Sequence, residues 1–256
     1  MHSNRTMAGN KFYQILFLVA GLFLLTNCKQ QLYKSGSAEF LTVSEEIAPD
    51  PFLDDFIQSY KTALEVEMNK IIGETDEAII KSGPGETALG NLVADFQKEF
   101  AEQKLGQVID ISIINNGGLR NNLPKGPITL GNIYELSPFD NYLHILELNA
   151  EDVRALASFA VNRRILGIAG MSILAKDGEI IDIKVGNKAL VEEKNYTLAV
   201  NDYLANGGDG MELLTQLPRL EETNILLREL LIDRIKHKTD LGQKITAKVE
   251  GRQKLD

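Results

Sequence analysis

Residues Asn201-Asp202-Tyr203-Leu204-Ala205-Asn206-Gly207-Gly208-Asp209-Gly210 form the most informative loop of this chain. The segment that precedes the loop, Tyr196 to Val200, is predicted to be a strand. The loop presents an aromatic ring, Tyr203, and a carboxylate, Asp209, among glycines. A carboxylate so placed can accept hydrogen bonds from two vicinal hydroxyls of a ribose. Calcium binding fits the pattern poorly, because Leu204 stands where an oxygen ligand would be needed.

A second glycine-containing loop, Asn115-Asn116-Gly117-Gly118-Leu119-Arg120, follows a predicted strand at Val108 to Ile114. Paired glycines let a backbone turn tightly and approach a ligand. The planar guanidinium of Arg120 then suits a phosphate or a carboxylate. For this motif in isolation, a plain turn with a surface ion pair is the better explanation.

A third loop, Ser137-Pro138-Phe139-Asp140-Asn141, precedes a predicted strand at Tyr142 to Leu148. An aromatic side chain in a loop, here Phe139, can either cover the edge of the core or stack on a planar ligand. Taken alone, the loop favours the core edge.

The remaining pattern predicts helices and strands that alternate along the chain. Pro51 suits the first position of a helix, and apolar residues then recur at helical spacing until Gly73. Asn149 is a typical N-cap, and Asp177-Gly178 is a two-residue hairpin signal. The other predicted elements are a strand at 77–81, a helix with an apolar stripe from Leu89 to Phe100, a short helix at 130–136, a helix from Asn149 to Asn162, hairpin strands at 172–175 and 180–185, a helix at 224–236 and a strand at 245–249. We therefore predict one α/β domain of the α+β type at 51–251, with a mixed β-sheet and packed helices.

The composition is that of a globular protein with an acidic surface. The chain has 256 residues, of which 44% are hydrophobic and 25% charged, and its formal net charge is -9. A chain of this length and composition can bury a core. An acidic average surface repels a nucleic-acid backbone, so neither DNA nor RNA is an expected partner.

The beginning of the chain has the pattern of an export signal. Met1 to Lys11 carries bases and no acid, and Phe12 to Leu25 is almost wholly apolar but short for a transmembrane helix. Leu25-Thr26-Asn27-Cys28 resembles a bacterial lipobox, in which the cysteine is acylated, although Asn27 replaces the usual small residue. A plain signal peptide or an uncleaved anchor is the alternative.

From this pattern we expect a signal peptide of the lipoprotein type at 1–27, with Cys28 as the lipidated first residue of the mature protein. A polar linker at 29–50 would tether the domain. The expected location is the bacterial cell envelope, where the lipid anchors the protein to a membrane.

The side chains that usually carry hydrolytic chemistry are scarce. Cys28 is the only cysteine, and His144 and His237 are the histidines that remain after the leader. A binuclear metal site needs more nitrogen and oxygen ligands than two separate histidines supply. A nucleophile elbow, a Walker loop and a dinucleotide glycine fingerprint are also missing from the sequence. We expect no catalytic residue, no metal ligand and no cofactor in this chain.

The three loops together resemble the C-terminal, substrate-binding domain of the 5'-nucleotidase family, which includes UDP-sugar hydrolases and 2',3'-cyclic nucleotide phosphodiesterases. The resemblance also covers Ile72-Gly73, Glu86 and Gly90-Asn91-Leu92, in the same order along the chain. The run from Ala205 to Gly210 is its most specific part.

The resemblance implies a role for each loop residue. Phe139 and Tyr203 would clamp the base, with Tyr203 standing where the family usually has phenylalanine. Asp209 would hold the ribose hydroxyls, Asn115 would contact the base, and Arg120 would face the ribose or the phosphate.

The resemblance has one local departure. The family commonly carries a further arginine three residues before the position of Glu86, where this chain has Gly83. Lys81 is the nearest candidate to replace it as a group that binds the phosphate.

Members of the family carry a metallophosphoesterase domain ahead of this one, whereas here the expected leader and linker precede it. We therefore expect the nucleotide- or nucleoside-binding half of a split 5'-nucleotidase-type phosphohydrolase, with divalent metals on a separate polypeptide. The alternative is a stand-alone nucleoside-binding envelope lipoprotein without hydrolase activity. A degenerate domain kept as an interaction module is a third possibility.

Overall fold

The computed structural model describes residues 44 and 47–255. The predicted signal peptide at 1–27, Cys28 and most of the predicted linker at 29–50 lie outside these residues, so all three stay predictions. Within the described residues, no helix combines the length and the apolar character needed to cross a bilayer.

Helices and strands alternate along the described chain. Its α-helices are α1 (Pro51–Met68), α2 (Ala88–Leu105), α3 (Leu130–Leu136), α4 (Ala150–Arg163), α5 (Asp202–Ala205), α6 (Glu212–Thr215) and α7 (Leu227–Asp240). Its strands are β1 (Ile71–Thr75), β2 (Ile111–Asn115), β3 (Gly126–Thr129), β4 (Tyr142–Leu148), β5 (Leu166–Ala169), β6 (Met171–Lys176), β7 (Glu179–Val185), β8 (Lys188–Ala189), β9 (Tyr196–Asn201), β10 (Arg219–Leu226) and β11 (Gln253–Leu255).

The strands form one large mixed sheet and two smaller sheets. The large sheet has five strands in the order β10-β4-β9-β2-β5, and within it β2 and β9 are parallel while the other pairs are antiparallel. A four-stranded sheet has the order β11-β6-β7-β8, and β1 pairs with β3. The predicted fold class, a mixed β-sheet with packed helices, is confirmed.

The topology brings the three loops to the same end of the central strands of the large sheet. β2 and β9 are adjacent and parallel, with Ile111 opposite Leu198, so the loops that follow these strands leave the sheet at the same end. β4 runs antiparallel to β9 and pairs Leu143 with Asn201. The loop before β4 therefore lies at that end as well.

Buried side chains pack on both faces of this sheet. Ile114 packs in the cluster that contains the buried residues of α2 and α7, whereas Ile111 and Ile113 pack in the cluster that contains those of α4. This division follows from the two-residue period of a strand.

A buried hydrogen bond network ties the two parallel strands together. Gln97 of α2 is fully buried, and its Nε2 donates to Oγ of Ser112 in β2 and to the carbonyl of Ala199 in β9, both at 2.9 Å. The helix thereby fixes the two strands from which two of the loops emerge.

Several elements have the predicted positions. α3 and β4 have the predicted bounds. Asn149 caps α4 and forms a reciprocal capping box with Asp152. The turn at Asp177-Gly178 joins β6 to β7. These predictions are confirmed because each rests on a local signal.

The first helix is shorter than predicted. α1 ends at Met68, and Gly73, which was expected to end it, lies in β1. The backbone N–H of Leu130 donates to the carbonyl of Lys70 at 2.9 Å, and β1 then pairs with β3. A Cβ at residue 73 would lie 2.6 Å from Cγ2 of Ile235 in α7. Strand pairing and close packing thus override the helical pattern.

Three other predicted elements need correction. The strand predicted at 77–81 is wrong, because Ile79 makes only an isolated bridge with Leu123. The helix predicted at 224–236 is α7, which begins at Leu227 because the residues before it form the edge strand β10. Residues 245–249 are not a strand, and β11 lies past 251, the expected end of the domain, where it pairs in parallel with β6.

Candidate functional site

The three loops surround one pocket of about 380 Å³. Its lining residues are Asn115, Gly117, Gly118, Arg120, Phe139, Asn141, Tyr203 and Asp209. The structure thus brings together every residue that the sequence analysis assigned to substrate binding. Their role in binding stays a prediction.

The carboxylate of Asp209 is held by two side-chain donors. The hydroxyl of Tyr203 donates to Oδ1 at 2.9 Å, and Nδ2 of Asn115 donates to Oδ2 at 2.8 Å. The backbone N–H of Asp209 in turn donates to the Tyr203 hydroxyl at 3.2 Å. Asp209 has φ 55°, in the left-handed region that is uncommon for a residue other than glycine. The loop therefore fixes both the backbone and the side chain of this residue.

The adjacent side chains of Asn115 and Asn116 have different roles. Asn115, which is 4% exposed, lines the pocket, and its Oδ1 accepts from Nδ2 of Asn201 at 3.2 Å. Asn116 faces the base of α2, and its Nδ2 donates to the carbonyl of Gly85 at 3.0 Å. One amide therefore orients groups in the site, and the other anchors the loop to the scaffold.

The ring of Tyr203 lies against the backbone of Gly208. A Cβ at residue 208 would lie 2.5 Å from Cε1 of the ring, so any side chain there would displace the ring. Tyr203 is nonetheless 44% exposed. The backbone of Gly208 therefore covers part of the ring, and the exposed part lines the pocket.

Phe139, the other aromatic residue of the pocket, is also 44% exposed. The guanidinium carbon of Arg120 lies 5.1 Å from the centroid of the Phe139 ring, within the range of a cation–π contact. Nη1 of Arg120 donates to the carbonyl of Gly117 at 3.4 Å. In this structure the ring is therefore covered in part by a cationic side chain of the same pocket.

Asn141 lines the pocket but was not singled out from the sequence as a site residue. Its Nδ2 donates to Oδ1 of Asp202 at 3.1 Å, and the same oxygen accepts from the backbone N–H of Tyr203 at 2.8 Å. Asp202 thus links the loop before β4 to the loop after β9. The sequence could have indicated Asn141 as a site residue only through its position at the end of the loop that also carries Phe139.

The departure at Gly83 has a local explanation. Gly83 has φ 76°, so an arginine at this position would be in a strained conformation. The ammonium of Lys81 donates to the carbonyl of Leu119, next to Arg120 in the chain. Lys81 therefore contacts the loop that carries Arg120, but it does not line the pocket.

His144 supports the loop that carries Tyr203 rather than lining the pocket. Its Nδ1 lies 2.9 Å from Nη1 of Arg219, whose Nη2 donates to the carbonyl of Ala205 at 2.8 Å and to Oδ1 of Asn206 at 2.9 Å. Burial lowers the pKa of His144 below its ordinary value and Arg219 lowers it further, which outweighs the opposite effects of nearby Glu222 and Asp202. The nitrogen of a neutral imidazole that carries no proton can accept a hydrogen bond from a guanidinium.

Glu86, part of the family resemblance, has a structural role. Its carboxylate accepts from Nδ2 of Asn91 at 2.7 Å and from the backbone N–H groups of Glu250 at 2.7 Å and Gln253 at 3.1 Å. Burial raises the pKa of Glu86, but these hydrogen bonds and one from the backbone of Arg252 outweigh burial, so the net pKa lies below the ordinary value. The residue therefore holds the C-terminal segment against the start of α2.

Metal ligands do not cluster in the described part of the chain. Among residues 44 and 47–255, no group of three or more His, Cys, Asp or Glu side chains could hold a metal ion.

Comparison with known proteins identifies the same region of the chain. The family model described as "5'-nucleotidase, C-terminal domain" matches residues 71–216. The solved structure of a 5'-nucleotidase precursor from Thermus thermophilus is similar with a TM-score of 0.66 and 28% identity, over 80% of this chain and 43% of that one.

Two sequence relatives illustrate the range of similar proteins. The trifunctional nucleotide phosphoesterase protein YfkN of Bacillus subtilis (strain 168) is 28% identical over 232 residues, which are 83% of this chain and 16% of YfkN. The cell wall protein Lmo0130 of Listeria monocytogenes is 26% identical over 240 residues, which are 82% of this chain and 30% of Lmo0130. The chain thus spans less than half the length of each of these relatives.

Proposed function

The chain belongs to the 5'-nucleotidase C-terminal domain family, and we propose that it is the nucleoside-binding half of a split 5'-nucleotidase-type phosphohydrolase. Homology to this domain supports a nucleotidase-related substrate-binding role. In the proposal, the divalent metals and the hydrolytic step belong to a separate metallophosphoesterase polypeptide. The observation that carries the proposal is a pocket that joins two exposed aromatic rings to a carboxylate held by two donors.

The pocket has the chemistry that a nucleoside requires. Phe139 and Tyr203 offer rings on which a base can stack. An ionised carboxylate has about four lone-pair sites, and Tyr203 and Asn115 use one on each oxygen of Asp209. One site on each oxygen is left, which matches the two hydroxyls of a ribose.

The split is supported by the surface of α1. No residue of α1 is buried, although Phe56, Ile57, Tyr60 and Leu64 lie at helical spacing and are each more than half exposed. An exposed apolar stripe of this kind usually marks an interaction surface. In the proposal this stripe docks against the polypeptide that bears the metals.

The runner-up function is a stand-alone nucleoside-binding protein of the cell envelope. One observation favours it, because the five residues to which the resemblance assigns substrate binding all line one pocket of this chain. In this alternative the chain binds a nucleoside by itself and catalyses no hydrolysis.

Export and lipid anchoring are also part of the proposal. The relative named as a cell wall protein is consistent with export. We expect Cys28→Ala to move the protein from the membrane fraction to the soluble envelope fraction or to stall its processing, because the acyl chains supply the membrane affinity. A variant that is processed and fractionated like the wild type would show that Cys28 is not the anchor.

An activity assay tests the split directly. The purified full chain, incubated with AMP and divalent metals, is expected to release no phosphate. Added to an envelope extract of the source organism from which this chain has been removed, it is expected to restore AMP hydrolysis. Chelator-sensitive phosphate release by the pure chain would refute the proposal, and failure to restore activity would favour the stand-alone binding protein.

Variants of α1 sharpen this assay. Ile57→Asp places a charge in the apolar stripe and should abolish the restoration while leaving adenosine binding intact. Thr62→Asp, an exposed position on the same helix away from the stripe, is the matched control and should restore activity like the wild type. Equal restoration by both variants would show that α1 is not the docking surface.

A further inference from the structure

We infer that the hydroxyl of Tyr203 is a specificity-determining group that positions Asp209 for a ribose, which makes Tyr203 more than a stacking platform. The inference rests on the proposed function, because it concerns the same pocket.

The hydroxyl makes two contacts with the same residue. It donates to Oδ1 of Asp209 at 2.9 Å and accepts from the backbone N–H of Asp209 at 3.2 Å. The first contact fixes the rotation of the carboxylate, and the second holds the backbone. Asp209 has φ 55°, in the left-handed region that aspartate occasionally adopts, and the second contact helps to hold this conformation.

The opposite side of the carboxylate is fixed as well. Nδ2 of Asn115 donates to Oδ2 of Asp209 at 2.8 Å, and Asn201 holds Asn115 at 3.2 Å. Asn115 is 4% exposed, so its position is set by the core. Both oxygens of the carboxylate are therefore held by hydrogen bonds before a ligand binds. This reduces the conformational entropy that the side chain loses on binding.

The hydroxyl does not compete with the ribose. Each carboxylate oxygen has two lone pairs, so one donor on each leaves one acceptor site on each for a pair of vicinal hydroxyls. Removing the Tyr203 hydroxyl therefore adds no acceptor that the ribose needs, and it removes the group that orients those already present. Ribose recognition should fall, while stacking on the ring should not change.

The test is a set of binding titrations with Tyr203→Phe, using adenosine and 2',3'-dideoxyadenosine. The second ligand lacks both hydroxyls, so it reports stacking alone. We expect the preference for adenosine over the dideoxy analogue to fall by about three- to tenfold in Tyr203→Phe, which corresponds to the net contribution of one ordinary hydrogen bond. Affinity for the dideoxy analogue should stay within about twofold of the wild type.

Two controls separate positioning from a change in the fold. Tyr142→Phe makes the same chemical change at a tyrosine outside the pocket lining and should leave the preference unchanged. In an Asp209→Ala background, Tyr203→Phe should have no further effect on the preference, because the carboxylate through which the hydroxyl acts is absent. Thermal unfolding of each variant confirms that the proteins compared are folded.

The outcomes distinguish the inference from the proposed function. If the wild type prefers adenosine and Tyr203→Phe keeps the full preference, or loses affinity for both ligands equally, the inference is wrong and the proposed function stands. If the wild type binds neither ligand, both are wrong. If Tyr203→Phe still lowers the preference in the Asp209→Ala background, the hydroxyl acts by another route and the inference is overturned.

Discussion

Replacing Arg120 by alanine should tighten the binding of adenosine, although a cationic residue would be removed from the pocket. The guanidinium lies 5.1 Å from the centroid of the Phe139 ring, so a base that stacks on this face must first displace it. An exposed cation–π contact contributes about 0.5–1 kcal/mol. Since 1.4 kcal/mol corresponds to a factor of about ten, Arg120→Ala should improve adenosine affinity by about two- to fivefold.

The same substitution should have the opposite effect on selectivity for the nucleotide. Arg120 offers its charge to a phosphate, and at an exposed site such a contact contributes about 1 kcal/mol after solvent screening. The ratio of the dissociation constant of AMP to that of adenosine should therefore rise by about fivefold in Arg120→Ala. Calorimetric titration of both ligands against both proteins measures this ratio.

Phe139→Ala provides the reference for this reasoning. Base stacking contributes about 1–3 kcal/mol, and the base displaces a contact of about 0.5–1 kcal/mol, so the net loss should lie between about 0 and about 2.5 kcal/mol. In the Phe139→Ala background, Arg120→Ala should no longer improve adenosine binding. Unchanged adenosine affinity in the single Arg120→Ala variant would refute the reasoning, because it would mean that the base does not use the ring face that Arg120 covers.

Two predictions concern the scaffold. Gly73→Ala should destabilise the protein by about 1–3 kcal/mol in urea unfolding, since the new methyl would lie 2.6 Å from Cγ2 of Ile235. Adding Ile235→Leu, which removes the Cγ2 methyl, should recover part of the lost stability. An unchanged unfolding midpoint in Gly73→Ala alone would show that the contact relaxes freely. Glu86→Gln should lower the free energy of unfolding at neutral pH. The difference in this free energy between the wild type and the variant should shrink as the pH falls below 4.5, the ordinary pKa of a glutamate, and through the lowered pKa of Glu86 in the folded state. A difference that stayed constant from neutral to strongly acidic pH would show that the charge of Glu86 does not stabilise the fold.

Local signals in the sequence were enough to locate much of the fold. Asn149 and the turn at Asp177-Gly178 carry residue types that satisfy or bend the backbone without help from distant parts of the chain. The strand β10 was missed because its residues alternate between partly buried and exposed positions at an edge of the sheet, and charged residues such as Glu221 and Glu222 mask the pattern. The helix boundary at Met68 depends on pairing with β3, which no local pattern reveals.

The candidate site was predicted as a set of residue types, and the structure adds how they are joined. The loops meet because β2 and β9 are parallel neighbours and β4 is antiparallel to β9, a topology that the sequence alone does not specify. The hydrogen bond between Tyr203 and Asp209 also could not be predicted, because no local pattern predicts the left-handed conformation of Asp209 with which it occurs. Asn141 was overlooked for a related reason, since its link to Asp202 spans two loops.

A crystal structure of the full chain grown with millimolar adenosine tests the central claim most directly. We expect the base to lie between the rings of Phe139 and Tyr203, with the ribose hydroxyls within hydrogen-bond distance of the Asp209 carboxylate. Adenosine bound elsewhere on the chain, or a pocket that stays without nucleoside at this concentration, would contradict the account.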